Sequence, residues 1–374
     1  MTFKRKIILS QNLFLLIVLI ICCIIAVFFQ FTNLIIVLGN RLPQIRQVNE
    51  ISYEYTNNQM IQNSYLKIFD KRRFEEERNQ DIQASNTCIK SGLKPQFTIC
   101  VHELTNDIYV SHRILKSGIW EKEISELIKD ILLRHDQKDI IFLDVGANLG
   151  FHSLYAAKLG YNVCAVEPQQ RNFIKMFRSA LKSGISDKLT IIQNAISDNR
   201  RTGYMNIDQK NNGGSFLELD TNQSLNTKTK NQNLSKNMLQ TVLLKDVIDA
   251  MPKTNVVSTP LSVLMKIDIE HFECRAFLGS PEILRQNQTI SLLAVIMEWT
   301  FEGQNGSFSE ACPKDKVIDL TKLFLENGFT PFQWKEGLNR VFYGNEWEKL
   351  DISNFGVDWS ANVLWKRVTT QQSV

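Results

Sequence analysis

No C-x-x-C pair occurs among the seven cysteines of this 374-residue chain. That argues against a structural zinc site, whose ligands come in closely spaced pairs. Nor is there a block of lysine and arginine interleaved with aromatics, and the net charge of +4 is mild. Nucleic acid is therefore not an expected partner. No internal repeat is visible, which leaves a repeat array without support. What remains, at 44% hydrophobic residues, is enough for one large domain with attachments.

Long apolar runs are also scarce, with one exception. Leu13 to Phe29 has no polar residue other than Cys22 and Cys23, and a second patch, Leu34 to Leu38, follows Gln30, Thr32 and Asn33. A spanning helix needs about 20 largely apolar residues; residues 8–29 provide them if Ser10, Gln11 and Asn12 lie at the interface. The run exceeds the apolar region of a cleaved signal peptide, and no A-x-A-like site is evident. Residues 1–39 are thus read as a cytosolic tail and an uncleaved transmembrane signal anchor. Lys4, Arg5 and Lys6 precede the span; Arg41 and Arg46 follow it, with Glu50 beyond. The positive-inside rule then predicts a single-pass membrane protein with a cytosolic N-terminus and a lumenal domain, in the Golgi or ER. Sequons beginning at Asn222, Asn233, Asn287 and Asn305 agree with that side.

Residues 40–90 read as a polar stem, with a helix expected around 60–80 where Lys71-Arg72-Arg73 meets Glu75-Glu76-Glu77. Residues 91–374 form the expected folded domain. In an oxidising lumen Cys88 and Cys100 could close a small loop, whereas Cys164 reads as apolar filler in a core strand. The tract 206–240, full of Asn, Gln, Ser, Thr and Lys, reads as a surface loop after a hairpin arm at Gly203 to Ile207.

The richest stretch is Phe142 to Pro168. Ile140-Ile141-Phe142-Leu143 is an apolar run expected of a strand buried on both faces, closed by Asp144. Gly146, Ala147, Asn148, Leu149 and Gly150 form a turn in which backbone can approach a ligand. Phe151 to Leu159 has helical spacing and ends at Gly160. Asn162 to Val166 is a second strand that delivers Glu167 to the sheet edge, where an acidic residue can accept hydrogen bonds from ribose hydroxyls.

Two nucleoside cofactors compete for this site. The dinucleotide pattern is G-x-G-x-x-G with pyrophosphate at the helix N-terminus. Here the order is D-x-G-x-x-x-G, with Asn148 where the second glycine would stand. An acidic residue ahead of the turn suits a ligand carrying an ammonium group, which favours S-adenosylmethionine (SAM) over NAD.

Further along, Leu264 to Glu273 reads Leu-Met-Lys-Ile-Asp-Ile-Glu-His-Phe-Glu. This resembles the K-I-D-x-E-G-x-E signature of FkbM-type methyltransferases, as the first motif resembles their D-V-G-A-N-x-G. Val166-Glu167-Pro168, Asn194 to Asp198, the Leu244-Lys245-Asp246 step and Glu298 also fit. The similarity covers about residues 105–366 and extends to the approach segment Asp107–Glu121 of animal members. It implies a Rossmann-like class I methyltransferase fold: a three-layer α/β sandwich with a mostly parallel seven-stranded sheet. Strands are expected near 140–145, 162–167, 189–195, 263–269 and 291–298. A helix should follow near 315–327, with strands near 339–343 and 361–367.

The resemblance implies that Asp144, Gly146, Ala147, Asn148 and Gly150 hold the methionine end of SAM, that Glu167 takes the ribose, and that Asn194 and Ala195 lie by the adenine. Many family members O-methylate sugars or natural products, so the expected acceptor bears a hydroxyl, with a glycan as its expected class. An alcohol needs a base or a metal to lose its proton. Asp268 and Glu270, two apart on a predicted strand, would share a face at the sheet edge. Asp268 is the candidate for orienting or deprotonating the acceptor, with Glu270 beside it and His271 able to assist. Glu298 would bound the pocket. Nothing in the sequence demands a metal. His271 stands where the family usually has Gly, which admits an alternative: a membrane-tethered adaptor that keeps the fold without turnover.

Overall fold

Alternation along Ile140–Val145 organises the molecule. Ile140 and Phe142 enter one apolar cluster, while Ile141, Leu143 and Val145 enter another on the opposite face. The same division separates Val163 and Ala165 from Cys164 and Val166, Leu264 from Val263 and Met265, and Ile296 from Val295 and Met297. Successive side chains of a strand point to opposite faces, so strands apolar at every position need cover on both sides.

The computed structural model describes residues 65–69, 73–75, 87–135, 140–206, 215–219, 238–251, 260–285, 290–301, 308–334, 347–359 and 361–367. The predicted membrane span, most of the stem and the four sequons lie outside them; 65–69, 73–75 and 87–90 of the stem are described. Among the described residues no helix is long and apolar enough to cross a membrane.

In chain order the elements are β1 (Ile68–Phe69), β2 (Cys88–Lys90), β3 (Thr98–Cys100), α1 (Val110–Ser117), α2 (Lys122–Arg134), β4 (Ile140–Val145), α3 (Phe151–Lys158), β5 (Asn162–Val166), α4 (Gln170–Ser183), β6 (Leu189–Ile192), β7 (Ala195–Ile196), β8 (Thr202–Asn206), β9 (Phe216–Leu219), β10 (Met238–Val242), α5 (Leu244–Ala250), β11 (Leu261–Ile267), α6 (Glu273–Leu278), β12 (Ile290–Trp299), α7 (Lys314–Glu326), β13 (Phe329–Trp334), β14 (Trp347–Lys349) and β15 (Ala361–Arg367).

The main sheet has nine strands in the order β1-β6-β5-β4-β11-β12-β15-β13-β14. Its centre, β6 to β12, is parallel, and β15, β13 and β14 run antiparallel. Six of the expected strands, β4, β5, β6, β11, β12 and β15, are joined by three more: β13, and at the edges β1 and β14, which are too short to announce themselves by periodicity. The strand expected near 339–343 lies outside the described residues. β15 pairs with β12 on one side and with β13, at 329–334, on the other.

One cluster packs α2, α3 and α4 against the sheet through Ile128, Leu154 and Phe173, and the other packs α5, α6 and α7 through Val247, Phe277 and Phe324. The result is three layers. Within the tract expected to be a surface loop, β9 and the start of β10 are strands: they join β7 and β8 in a second sheet, order β7-β10-β8-β9. There Met205, Leu217, Ala195 and Phe272 form a small apolar cluster of their own. Cys88 and Cys100, register partners on β2 and β3, are bonded, and so are Cys274 and Cys312. Cys164 is free and buried.

Candidate active site

Strand order reverses between β4 and β11: the chain runs outward from β4 to β6, then returns to β11 on the other side. Open α/β sheets leave a crevice at such a switch point, beyond the carboxyl ends of the strands. A cavity of about 340 Å³ occupies that place.

The turn after β4 is built for close approach. Gly146, Asn148 and Gly150 have φ of 83°, 52° and 75°. The amides of Gly146 and Ala147 both donate to the Val166 carbonyl, at 2.9 and 3.0 Å, and the Asp268 amide donates to Val145 at 3.0 Å. The two motifs, far apart in sequence, are thereby locked together. A Cβ on Gly146 would lie 2.8 Å from the carbonyl carbon of Asp268 and closer still to its oxygen. Glycine is required there on both counts.

Asp144 is 1% exposed. Its Oδ2 accepts from Ser153 Oγ at 2.6 Å, while Oδ1 is buried without a hydrogen-bond partner, as is Asn148 Oδ1. Buried acceptors are normally satisfied. Two orphaned oxygens at a cavity wall fit a ligand bearing an ammonium, so this end suits the amino-acid end of SAM.

Glu167 is 4% exposed and lines the cavity. Burial pushes its carboxyl up to about 7, against hydrogen bonds donated by the Gln169 and Asn148 amides and the Asn172 side chain. Its Oε2 accepts one of these, from Asn148 at 2.8 Å, and Oε1 the other two. Asn194 and Ala195 line the same cavity. The Asn194 amide, however, is fully spent on backbone: it accepts from Lys67 N at 2.8 Å and donates to Tyr65 O and Gln240 O. Any contact it makes to a ligand comes from its backbone or its apolar edge.

At the other end, Lys266 is the register partner of both Asp144 and Ile296, so Asp144, Lys266 and Glu298 project from one face of the sheet. Lys266 Nζ sits 2.9 Å from Asp268 Oδ2 with only 5% of its side chain exposed. Burial acts to lower the ammonium, but Asp268, Glu121 and Asp144 around it raise it well above the usual range. Burial acts to raise Asp268, yet Lys266 and a hydrogen bond from Glu298 hold it below the ordinary value. Glu298 is raised strongly by burial and by the Asp268 charge, and so remains protonated at neutral pH. Glu270 is pushed to about 7 by burial and by Asp268.

Asp268 and Glu270 both line the cavity, but not for the predicted reason. β11 ends at Ile267, and Glu270 and His271 are consecutive left-handed residues with φ of 54° and 74°. They lie on a turn, not a strand face. A residue without a Cβ adopts such a φ freely, which explains a family glycine at His271. His271 does not reach the site: it is absent from the cavity lining, its Nδ1 is buried without a partner, and burial lowers its pKa despite a hydrogen bond with the backbone of Thr300. Glu273 Oε1 accepts from Ile269 N at 2.7 Å and fixes the turn.

Two further cavity residues, Glu121 from the approach segment and His152, are given no role by the sequence. Glu121, at the start of α2, meets His152 of α3: Glu121 Oε2 and His152 Nε2 are 3.0 Å apart. His152 Nδ1 lies 3.2 Å from Ser125 Oγ. Pairs 27 and 31 positions apart are set by how α2 packs on α3, not by local pattern.

Residues 144–331, half of the chain, match the methyltransferase FkbM domain family. No protein of curated function matches. Solved structures align at low similarity. A SAM-dependent methyltransferase from Agrobacterium tumefaciens is 10% identical, covering 76% of this chain and 71% of that one, with a TM-score of 0.35. Magnesium protoporphyrin IX methyltransferase from Synechocystis PCC 6803, solved with SAM bound, is 10% identical over 72% and 85%, with a TM-score of 0.33. Precorrin-6y C5,15-methyltransferase from Geobacter metallireducens is 10% identical over 67% and 91%, with a TM-score of 0.29.

Proposed function

The chain belongs to the FkbM methyltransferase domain family and its cofactor is SAM; from that premise we propose that it moves the methyl group to a hydroxyl oxygen, with a glycan as the expected acceptor class, in the lumen of the secretory pathway. The observation that carries this reading is the meeting of Asp144, with its unpartnered oxygen, and the Lys266–Asp268–Glu298–Glu270 cluster in one cavity.

Asp144 and Asn148 would hold the ammonium end of the cofactor and Glu167 the ribose; Ala195 and the Asn194 backbone would border the adenine. When bound, SAM supplies a methyl on a sulfonium, so the acceptor oxygen displaces a neutral thioether and its proton must pass to the protein. Glu270, at about 7, is the group matched to take a proton near neutrality. Asp268, held ionised by Lys266 and Glu298, is suited to orient the hydroxyl by accepting its hydrogen bond. Asp268 thus keeps the orienting role expected of it, and deprotonation falls to Glu270 beside it. His271, on which a non-catalytic reading rests, does not occupy the cavity.

The lumenal setting is supported by the two disulfides, since such bonds persist in oxidising compartments, and by the basic residues ahead of Leu13–Phe29. The test is calorimetric titration of SAM into the detergent-solubilised full chain, beside Glu167→Ala, followed by methyl transfer from radiolabelled SAM to glycan and amine acceptors. Micromolar binding lost in the variant, with alkali-stable ether products, supports the reading. Label on nitrogen refutes O-transfer. Protease protection of the domain in sealed microsomes checks the topology.

A further inference from the structure

We propose that Glu121, from the segment ahead of the matched family region, is an acceptor-binding residue, and that it makes the site select an uncharged polyol over an acceptor bearing phosphate, sulfate or carboxylate near the reacting hydroxyl. This rests on the hydroxyl-transfer reading above and narrows it.

The charge of the cavity is lopsided. Among the described residues, six carboxyl side chains line it, of which Glu298 is protonated and Glu167 and Glu270 are pushed to about 7, against a single lysine, Lys266, and no arginine. Lys266 is committed to Asp268 at 2.9 Å. His152 has both ring nitrogens engaged, by Ser125 and Glu121. Among the described lining residues no cationic side chain is left to receive an anion, and a negative group would meet Glu121 and Asp268, both held below the ordinary carboxyl value. Like-charge juxtaposition of that kind rejects wrong partners.

Glu121 is positioned to do the opposite for a hydroxyl. It is held in the left-handed region at φ 39°, a conformation that persists in a non-glycine residue only when its surroundings fix it. Among the described residues only Oε2 is engaged, by His152, which leaves Oε1 to accept from a ligand. Burial works to raise its pKa, but the His152 hydrogen bond and Lys266 keep it ionised. Carboxylates accept strong hydrogen bonds from hydroxyls. Its neighbour Trp120 and the exposed Tyr109 line the same cavity and supply apolar faces for the C–H side of a sugar-like ring. The site thus offers acceptors and aromatic surface, the complement of a neutral polyol.

The test uses the detergent-solubilised full chain loaded with S-adenosylhomocysteine. Paired neutral methyl glycosides, their uronates and their sugar phosphates are titrated by ligand-observed NMR, against wild type, Glu121→Gln and Glu121→Asp. SAM affinity and thermal midpoint are measured for each protein. Neutral glycosides should bind at least tenfold more tightly than their anionic partners. Glu121→Gln should weaken them about tenfold to a hundredfold, the loss of one charged hydrogen bond, with SAM affinity within twofold; Glu121→Asp should recover part of the loss. Anions binding as well as neutral glycosides, no binding of any neutral member, or an unchanged affinity in Glu121→Gln would each overturn the proposal. Neutral binding lost in the variant, but without methyl transfer to oxygen, supports the proposal and refutes the hydroxyl-transfer reading instead.

Discussion

Replacing Gly146 by alanine tests the meeting of the two motifs. Gly146 has φ 83°, and an added Cβ would lie 2.8 Å from the carbonyl carbon of Asp268 and 3.1 Å from Ile269 Cγ2. Gly184, the C-cap of α4, has φ 65° with nothing within 4 Å of its Cβ position. Both substitutions carry the left-handed penalty of about 1–2 kcal/mol, partly offset by the loss of chain entropy in the unfolded state. Gly184→Ala should therefore cost about 1 kcal/mol. Gly146→Ala must also push the turn at 268–269 off the end of β4, an overpacking cost of about 1–3 kcal/mol more. At about 2–4 °C per kcal/mol, thermal midpoints should separate by several degrees. SAM affinity should fall at least tenfold in Gly146→Ala alone, because Gly146 and Asp268 share the cavity wall. Equal losses of stability and an unchanged SAM affinity would refute the close approach and, with it, the account of why the motifs must coexist.

Glu270→Gln should lower kcat/KM by about 10²–10⁴. It should also abolish the wild-type rise in activity that levels off above about pH 7, the value to which Glu270 is pushed; a variant that keeps the rising limb would assign the base elsewhere. Asp144→Asn should weaken SAM about tenfold to a hundredfold in calorimetry by removing the charge that faces the ammonium, without lowering the thermal midpoint of the free protein as Gly146→Ala does. The Cys274–Cys312 bond closes a separation of 38 residues, so its removal by the double alanine variant should cost about 4 kcal/mol on the chain-entropy relation, read as an earlier denaturant midpoint. Stability should also depend on pH in a stated direction. Glu167 and Glu270 at about 7 and Glu273 at about 8 lie above their ordinary 4.5, so their contribution is complete below 4.5 and is lost as pH rises through 7 to 8. The thermal midpoint of the cofactor-free protein should fall between pH 5 and 8, and a flat or rising profile would contradict the burial of these carboxyls.

The centre of the fold was legible because it obeys simple periodicity. β4 occupies the expected 140–145 and α7 begins within one residue of the expected helix, since both bury apolar positions at regular spacing. Edges were less so. β1 has two residues and β14 three, too few for any period, and β13 contains Pro331, which lowers a strand's local signal. Around the site, Asp144, Gly146 and Glu167 were found through their places at strand ends. Glu121 ends the approach segment that carries the resemblance, but its role exists only once α2 lies against α3. The strand alternation that points to Glu270 stops at Ile267; two left-handed residues, Glu270 itself and His271, bring it to the cavity by another route. The partner of Cys274 could not be deduced from spacing.

Asn194 has a consequence for the order in which the molecule is made. Its amide closes contacts 127 and 129 positions long to the segment at 65–67, and one of 46 to β10. The unit from β4 to β6 can form from neighbours in sequence, but these contacts wait on the entropy of much larger loops. The end of the cavity lined by Asn194 and Ala195 is therefore expected among the last parts to be completed. A chain still lacking its edge strand would have a nearly finished core and a poor grip on its cofactor, so SAM retention would report late maturation as much as catalytic readiness.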